Sequence, residues 1–289
     1  MRQEPAMPFV ERLQQSWQRS NSLLCVGLDP EPGRIPAPLQ GHADAVFEFC
    51  RAIVDATADL VCCFKPQIAH FAAQGAEDAL QRLIAHIHRQ HPGVLVILDA
   101  KRGDIGSTAQ HYATEAFERY AADAVTLNPY LGKDSLQPFL ARADKGAIIL
   151  CHTSNPGAAD LQELAVADET GGSKPLYVHI AERIALDWNA NRNCALVIGA
   201  TYPQQLAQVR RAVGDEMPLL VPGVGAQGGD VAAVVHNGKN SSGTGLIVST
   251  SRAVLYAAAD ERFAESARAA AAALRDQIND YRARSSDQA

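Results

Sequence analysis

Eight short apolar runs recur along the chain, and this repeat constrains the fold more than any other feature of the sequence. Each run is continuously apolar, as is typical of parallel strands that are buried on both faces. Stretches that read as amphipathic helices lie between the runs, as at 42–58 and 76–90. The repeat predicts an α/β fold, a single (β/α)8 TIM barrel, and leaves a doubly wound open sheet as the alternative. The predicted strands are 23–29, 60–65, 94–99, 124–128, 146–152, 194–200, 218–223 and 245–250.

Two parts of the chain stand outside this repeat. Residues 153–174 form a long polar connection after the fifth predicted strand, and such connections are either functional lids or surface excursions. The Ala-rich segment from about 252 to 283 predicts one long C-terminal helix. No linker separates a second domain, so we expect residues 1–289 to form one domain with a core at about 22–260.

Composition and charge exclude several classes of protein. The chain has 289 residues and a formal net charge of -6, so it lacks the general basic footprint of a nucleic-acid-binding protein. No apolar run approaches the roughly 20 residues of a membrane span, and the first residues do not read as a signal peptide. The six cysteines show no C-x-x-C spacing and read as buried thiols. We therefore expect a cytoplasmic protein without nucleic-acid or membrane partners.

Three of the predicted strands end on a charged residue. Asp29 ends the first, Lys65 the second and Asp99 the third, and Lys101 and then Asp104 come shortly after Asp99. The carboxyl ends of barrel strands face the active site, and side chains two apart on a strand point the same way. The pattern predicts a Lys–Asp–Lys–Asp cluster at the barrel mouth. A salt-bridge network that only closes the rim is the structural alternative.

A glycine-rich turn follows the seventh predicted strand. The run VPGVGAQGGD, residues 221–230, contains Gly225, Gly228 and Gly229 and precedes a helix. Arg252 follows the eighth strand. Backbone N–H groups of such a turn and an Arg fork suit a phosphate, and barrel phosphates often bind after strands seven and eight. The alternative is a tight turn that only caps a helix.

Other polar motifs point less clearly to function. The run HIHRQH at 86–91 lies at a helix end away from the predicted mouth, so we interpret it as a solvated helix end and predict no metal site. His152 ends the fifth strand and either faces the site or packs in the core. The polar turn at 126–135 has possible substrate contacts.

The run DAKRGDIGST, residues 99–108, resembles the Asp-x-Lys-x-x-Asp signature of the orotidine 5'-phosphate decarboxylase family. Supporting segments follow in the family's order between about residues 22 and 260, and the insert after the fifth strand is similar to that of the longer bacterial branch. The segments are GLDP with Asp29, FKPQ with Lys65, SNPG with Ser154, PGVGAQGGD with Gln227 and SRAVLYA with Arg252.

This resemblance implies decarboxylation of orotidine 5'-monophosphate to UMP, the last step of de novo pyrimidine synthesis, with no metal or organic cofactor. It implies that Lys101 donates the proton to the carbon that loses CO2. Asp99 would lie beside the departing carboxylate, Lys65 would hold Asp99 and a ribose hydroxyl, and Asp29 would bind the ribose.

The resemblance also implies roles for residues farther along the chain. Ser154 would read the pyrimidine amide, and Gln227 and Arg252 would bind the phosphate. Asp104 and Thr108 would enter the site of the other subunit of a homodimer. Short family members have Ile-Pro-Asn-Thr after the second Asp, whereas residues 105–108 read Ile-Gly-Ser-Thr here.

Three other functions stay open at the level of sequence. A Mg²⁺-dependent sugar-phosphate decarboxylase of the 3-keto-L-gulonate 6-phosphate type shares the scaffold and the Asp-x-Lys-x-x-Asp pattern. A Schiff-base aldolase would need Lys65 or Lys101 with a depressed pKa, which adjacent carboxylates oppose. A non-catalytic nucleotide-binding barrel would leave the four charges unexplained.

Overall fold

A computed structural model describes residues 7–167, 171–224 and 228–284 of the chain. Eight parallel strands close into a barrel in the order β1-β2-β3-β4-β5-β8-β9-β10, and β6 and β7 form a separate antiparallel hairpin. In chain order the strands are β1 (Leu24–Leu28), β2 (Cys63–Pro66), β3 (Leu95–Arg102), β4 (Ala124–Leu127), β5 (Gly146–His152), β6 (Ala165–Ala167), β7 (Ser173–Pro175), β8 (Cys194–Ile198), β9 (Leu219–Pro222) and β10 (Leu246–Thr250).

The closing contact is the parallel pairing of β1 with β10, in which Leu24 lies opposite Val248 and Val26 opposite Thr250. The predicted TIM barrel is therefore confirmed, and the doubly wound sheet is wrong. Every predicted strand coincides with a barrel strand, because side chains in the continuous apolar runs are buried on both faces of the sheet. All six cysteines are free thiols and buried.

Helices surround the barrel and connect its strands. They are α1 (Phe9–Ser20), α2 (Ala45–Thr57), α3 (Ile68–Ala72), α4 (Glu77–Gln90), α5 (Gly106–Thr114), α6 (Lys133–Leu140), α7 (Ala158–Leu161), α8 (Leu176–Arg183), α9 (Pro203–Val213), α10 (Val231–Gly238), α11 (Arg252–Leu255) and α12 (Phe263–Ala283). Within the described residues, no helix is long and apolar enough to cross a membrane.

The C-terminal segment differs from the prediction at its start. The long helix is present as α12, but it begins at Phe263 and not near 252, because the chain leaves the helical conformation after α11. The Asp260 side chain accepts a hydrogen bond from the Arg262 backbone N–H at 3.0 Å, which favours a turn immediately before the helix.

The described parts of the connection at 153–174 contain more regular structure than its composition suggests. It contains α7 and most of the β6–β7 hairpin, and the backbone N–H of Leu176 bonds to the carbonyl of Leu164 at 2.8 Å. An isolated hairpin is marginal in water, so contacts with the barrel must hold this one in place.

The histidines of the 86–91 run are not simply solvated. His88 contacts Asp123, and both His86 and His91 contact Asp55. The run lies at the end of α4 and away from the cavity, as expected, and its three histidine rings are partly buried by these contacts.

A buried carboxylate holds the amino end of the barrel together. Asp123 is 3% exposed and accepts hydrogen bonds from Arg12 at 2.5 Å, His88 at 3.0 Å and the Val96 backbone N–H at 2.8 Å. Burial alone would raise the pKa of Asp123, but the His88 hydrogen bond and the Arg12 charge outweigh it and lower that pKa. This carboxylate ties α1 and α4 to the strands.

We expect Asp123→Ala to lower the free energy of unfolding by about 3 kcal/mol at neutral pH, because it leaves a buried N–H and a guanidinium without their acceptor. Urea unfolding measures this change, and Asp276→Ala is the exposed control. Because the pKa of Asp123 is lower in the folded state, its ionised carboxylate stabilises the fold at pH values above the unfolded-state pKa of about 3.9. This contribution is lost as the pH falls and the carboxylate becomes protonated. The difference in the free energy of unfolding between Asp123→Ala and wild type should therefore shrink below about pH 4. A difference that does not change with pH would contradict this account.

Candidate active site

The carboxyl ends of the barrel strands surround a cavity of about 490 Å³. This volume lies within the usual range for small-ligand sites, roughly 300–1,000 Å³. Six of the residues predicted from the sequence line the cavity, although they come from five different parts of the chain. They are Asp29, Lys65, Asp99, Lys101, Ser154 and Arg252.

A buried carboxylate between two ammonium groups forms the centre of the site. Lys65 Nζ lies 2.8 Å from Asp99 Oδ2, and Lys101 Nζ lies 2.6 Å from Asp99 Oδ1. Lys65 and Asp99 are buried, whereas the Lys101 side chain is 46% exposed toward the mouth. Both ammonium groups line the cavity, and Lys101 is the more exposed of the two.

The charges of this cluster keep one another ionised. Burial would lower the pKa of Lys65, but the carboxylates of Asp99 and Asp29 outweigh it and raise that pKa. Burial would raise the pKa of Asp99, but Lys65 and Lys101 hold it well below its usual range. Lys65 is thus an ammonium at neutral pH, which opposes its use as a Schiff-base nucleophile.

Thr126, near the end of β4, organises this cluster, and the sequence marks it only as the first residue of the polar turn at 126–135. Its Oγ1 donates a hydrogen bond to Asp99 Oδ1 at 2.9 Å and accepts from the backbone N–H groups of Ala100 and Lys101, each at 2.9 Å. Lys101 has φ of +47°, a conformation that is uncommon for a residue with a side chain. The Thr126 hydroxyl therefore holds both the carboxylate and the strained backbone beside it.

Asp29 presents an unsatisfied acceptor. Its Oδ2 accepts a hydrogen bond from Ser251 at 2.5 Å, whereas the buried Oδ1 has no partner among the described residues. Buried carboxylate oxygens are normally hydrogen-bonded, so Oδ1 is a candidate acceptor for a ligand hydroxyl.

The glycine-rich turn lies where the sequence predicts it, between β9 and α10. Gly228 has φ of +84°, and a side chain on Gly229 would meet Ala200 Cβ at 2.5 Å, so both positions favour glycine. Asp230 then caps α10 by accepting from the Ala232 N–H at 2.9 Å. Gly225 and Gln227 lie outside the described residues.

Arg252 lines the cavity from the start of α11, as do Gly223 and Val224 directly after β9. Within the described parts of the chain it forms no ion pair with a carboxylate, which leaves its guanidinium available to an anion.

Four residues of the 153–174 insert line the cavity, namely Thr153, Ser154, Asn155 and Gln162, and Gln162 is not evident from the sequence. Gln162 Oε1 accepts from the Thr153 N–H at 2.8 Å, and Gln162 Nε2 donates to Thr153 Oγ1 at 2.9 Å. This pair of bonds fixes the backbone next to Ser154. Only the folded insert brings Gln162 back to the end of β5, so sequence pattern alone gives no signal for it.

Five of the candidate residues that the structure describes do not line this cavity: Asp104, Thr108, His152, Gly228 and Gly229. Asp104 accepts a hydrogen bond from the Ile105 N–H at 2.8 Å, and Thr108 is exposed on α5. His152 is fully buried, and its ring packs edge-on against Tyr177 and Tyr202, so it belongs to the core.

A closed barrel with a Lys–Asp–Lys cluster and an arginine free to bind an anion at its carboxyl rim is typical of barrels that bind phosphorylated small molecules. The sequence model of the Orotidine 5'-phosphate decarboxylase / HUMPS family matches residues 22–267. The chain belongs to this family.

Individual relatives are similar over nearly the whole chain. The orotidine 5'-phosphate decarboxylase of Azoarcus sp. (strain BH72) is 63% identical over 276 residues, which cover 96% of this chain and 100% of the relative. The enzyme of that name from Ralstonia pickettii (strain 12J) is 62% identical with the same coverage. The structure of Leishmania donovani OMP decarboxylase is 39% identical, with a TM-score of 0.82 and coverage of 96% of this chain and 100% of that one.

We expect Thr126→Val to lower the free energy of unfolding by about 2 kcal/mol, because two backbone N–H groups lose their acceptor and Asp99 loses a donor. Thr126→Ser keeps the hydroxyl and is the matched control, with a much smaller change. Chemical denaturation of both variants measures the difference. Equal stability of the two would show that the hydroxyl does not hold the Asp99–Lys101 segment.

Proposed function

We propose that the protein decarboxylates orotidine 5'-monophosphate to UMP and CO2, the last step of de novo UMP synthesis. The observation that carries the proposal is the position of the Lys101 ammonium at the mouth of the barrel. Asp99 holds it there, with Lys101 Nζ 2.6 Å from Asp99 Oδ1. Membership of the family supports it, as do relatives at 57–63% identity that are named orotidine 5'-phosphate decarboxylase.

Loss of CO2 from the pyrimidine ring leaves an electron pair on a carbon that the ring delocalises poorly. A positioned ammonium stabilises that charge as it develops and can then protonate the carbon. Lys101 fills this role in our proposal, with Asp99 beside the departing carboxylate. The Thr126 hydroxyl holds Asp99 and Lys101 in position relative to each other, and the Lys65 ammonium pairs with the second oxygen of Asp99.

Substrate binding uses the rest of the cavity wall. Asp29 Oδ1 and Lys65 bind ribose hydroxyls, and Ser154 reads the pyrimidine amide. Arg252 binds the phosphate together with the turn that contains Gly228 and Gly229, to which Gly225 and Gln227 also belong. Binding energy at the phosphate, away from the reacting carbon, can order the loops around the substrate.

The Mg²⁺-dependent sugar-phosphate decarboxylase is the second candidate. Mg²⁺ takes oxygen ligands, mainly carboxylates, phosphates and water. Both oxygens of Asp99 already accept from ammonium groups at 2.6 and 2.8 Å, which disfavours a metal at the centre of this cluster. The nucleotide substrate therefore suits the site better, and we propose that no metal or organic cofactor is needed.

We further propose a cytoplasmic homodimer in which Asp104 and Thr108 of one subunit enter the cavity of the other. In a single subunit, the cluster has two lysines and one aspartate, and Asp104 of the partner subunit would supply the second carboxylate. Large apolar side chains near this segment are exposed: Ile105 by 59% and Tyr130 by 83%. The Asn128 N–H bonds to the Arg102 carbonyl at 2.8 Å, so the two loops lie side by side.

Ultraviolet absorbance of purified protein with orotidine 5'-monophosphate, with and without EDTA, tests the reaction. We expect conversion to UMP that resists the chelator. We expect Lys101→Ala to abolish turnover but to bind UMP nearly as well as wild type, whereas the exposed control Arg192→Ala keeps activity. Conversion that EDTA stops would favour the sugar-phosphate type of mechanism. A folded protein that binds UMP without turnover would leave only the binding-module interpretation.

Subunit mixing tests the shared site. Lys101→Ala and Asp104→Ala proteins should each be inactive, and heterodimers should recover activity because one of their two sites contains both wild-type residues. Differently tagged subunits allow the heterodimer to be purified before the assay. Verified heterodimers without activity would place Asp104 in the site of its own chain.

A further inference from the structure

A second cluster of ligand-type side chains lies at the opposite end of the barrel from the cavity. Asp55 comes from the last turn of α2, His86 from α4 and His91 from the residue directly after α4. All three lie before the amino end of the next barrel strand, whereas the active-site residues lie at or after the carboxyl ends of their strands. The cluster is therefore independent of the decarboxylase proposal.

The three side chains converge on one point. His86 Nε2 lies 2.6 Å and His91 Nε2 lies 2.8 Å from the same oxygen, Asp55 Oδ1. One ligand atom from each residue lies within 4.8 Å of the other two. The histidine rings stand edge to face, with centroids 5.9 Å apart. Two imidazoles and a carboxylate thus present their donor atoms to a common volume.

The backbone holds these donors in place. His86 lies within α4 between the buried side chains of Leu83 and Ile87. The His91 N–H bonds to the Ile87 carbonyl at 2.8 Å, and the His91 carbonyl accepts from Val94 at 3.1 Å at the start of the next strand. Little chain ordering is needed to form a ligand set here, which favours binding.

The cluster combines one carboxylate with two imidazoles, a set of donor atoms that suits a divalent cation.

We propose that Asp55, His86 and His91 bind a divalent transition-metal ion of the zinc class. Imidazole nitrogen is a preferred ligand of Zn²⁺ and its neighbours, whereas Mg²⁺ and Ca²⁺ prefer oxygen. Three protein ligands plus water complete a tetrahedral Zn²⁺ site. With metal–ligand bonds of about 2.0–2.1 Å, the donors must move apart to roughly 3.3 Å, and side-chain rotation alone can supply this small change.

A metal at this site would join the C-terminal ends of α2 and α4. These helices follow β1 and β2, and β3 begins directly after His91 and Pro92-Gly93. Because the unfolded chain does not hold the three ligands together, binding stabilises the native state and raises Tm with metal concentration. The site is structural and takes no part in the decarboxylation.

Calorimetric titration of untagged, chelator-treated full-length protein with Zn²⁺ tests the proposal. A polyhistidine tag would supply competing imidazoles and must be absent. We expect one saturable site in wild type and in His42→Ala, an exposed histidine outside the cluster. The double variant His86→Ala/His91→Ala should bind at least about 10-fold more weakly, as loss of ligands predicts. Mg²⁺ should give no saturable binding.

Two further measurements keep the test decisive. Co²⁺ bound by wild type should show a visible absorption band that the double variant lacks, and Zn²⁺ should raise the Tm of wild type only. If the double variant does not fold, His91→Ala alone can be used. This substitution removes one ligand at the residue directly after α4. Unchanged Zn²⁺ affinity in either folded variant, or no saturable binding by wild type, would overturn the proposal.

Discussion

The parallel pairing of β1 with β10 is the constraint on which the rest of the structure depends. This pairing removes the two free edges of the sheet and brings all eight carboxyl ends to one rim. Asp29 at the end of β1 is thereby placed beside Ser251, which follows β10, although 222 residues separate them in sequence. An open sheet of the same strands would place these residues at opposite edges.

Closure also explains how the chain tolerates buried charge at the rim. Lys65 and Asp99 are each less than a tenth exposed, and an isolated charge at such a position would be strongly destabilising. Neighbouring strands supply the opposite charge and the Thr126 hydroxyl, so each oxygen of Asp99 has a donor. The same contacts fix Lys101 in an uncommon backbone conformation, as is frequent where strain serves a site.

The sequence predicts functional residues whose place is set by the end of a strand. It does not predict residues whose role depends on contacts between different helices, strands or loops. The strands and the charges at their ends follow from local apolar runs and from the rule that barrel sites form at carboxyl ends. Thr126 depends on the register between β3 and β4, which shifts between Leu98 and Arg102. Gln162 depends on the fold of the insert, and His86 and His91 depend on α2 packing beside α4. None of these contacts leaves a periodic signal, so the partners of His86, His88 and His91 could not be predicted from the sequence.

The fully buried His152 has a consequence for how this barrel evolves. Its Nε2 lies 3.0 Å from Glu163 Oε1, so a core imidazole at the end of β5 takes its partner from the insert. The Nδ1 atom has no partner among the described residues, and loss of Glu163 would leave the whole ring unpaired in the interior. Insert and core are therefore linked, and a descendant that shortens the insert must also replace His152. Across related sequences, positions 152 and 163 should covary.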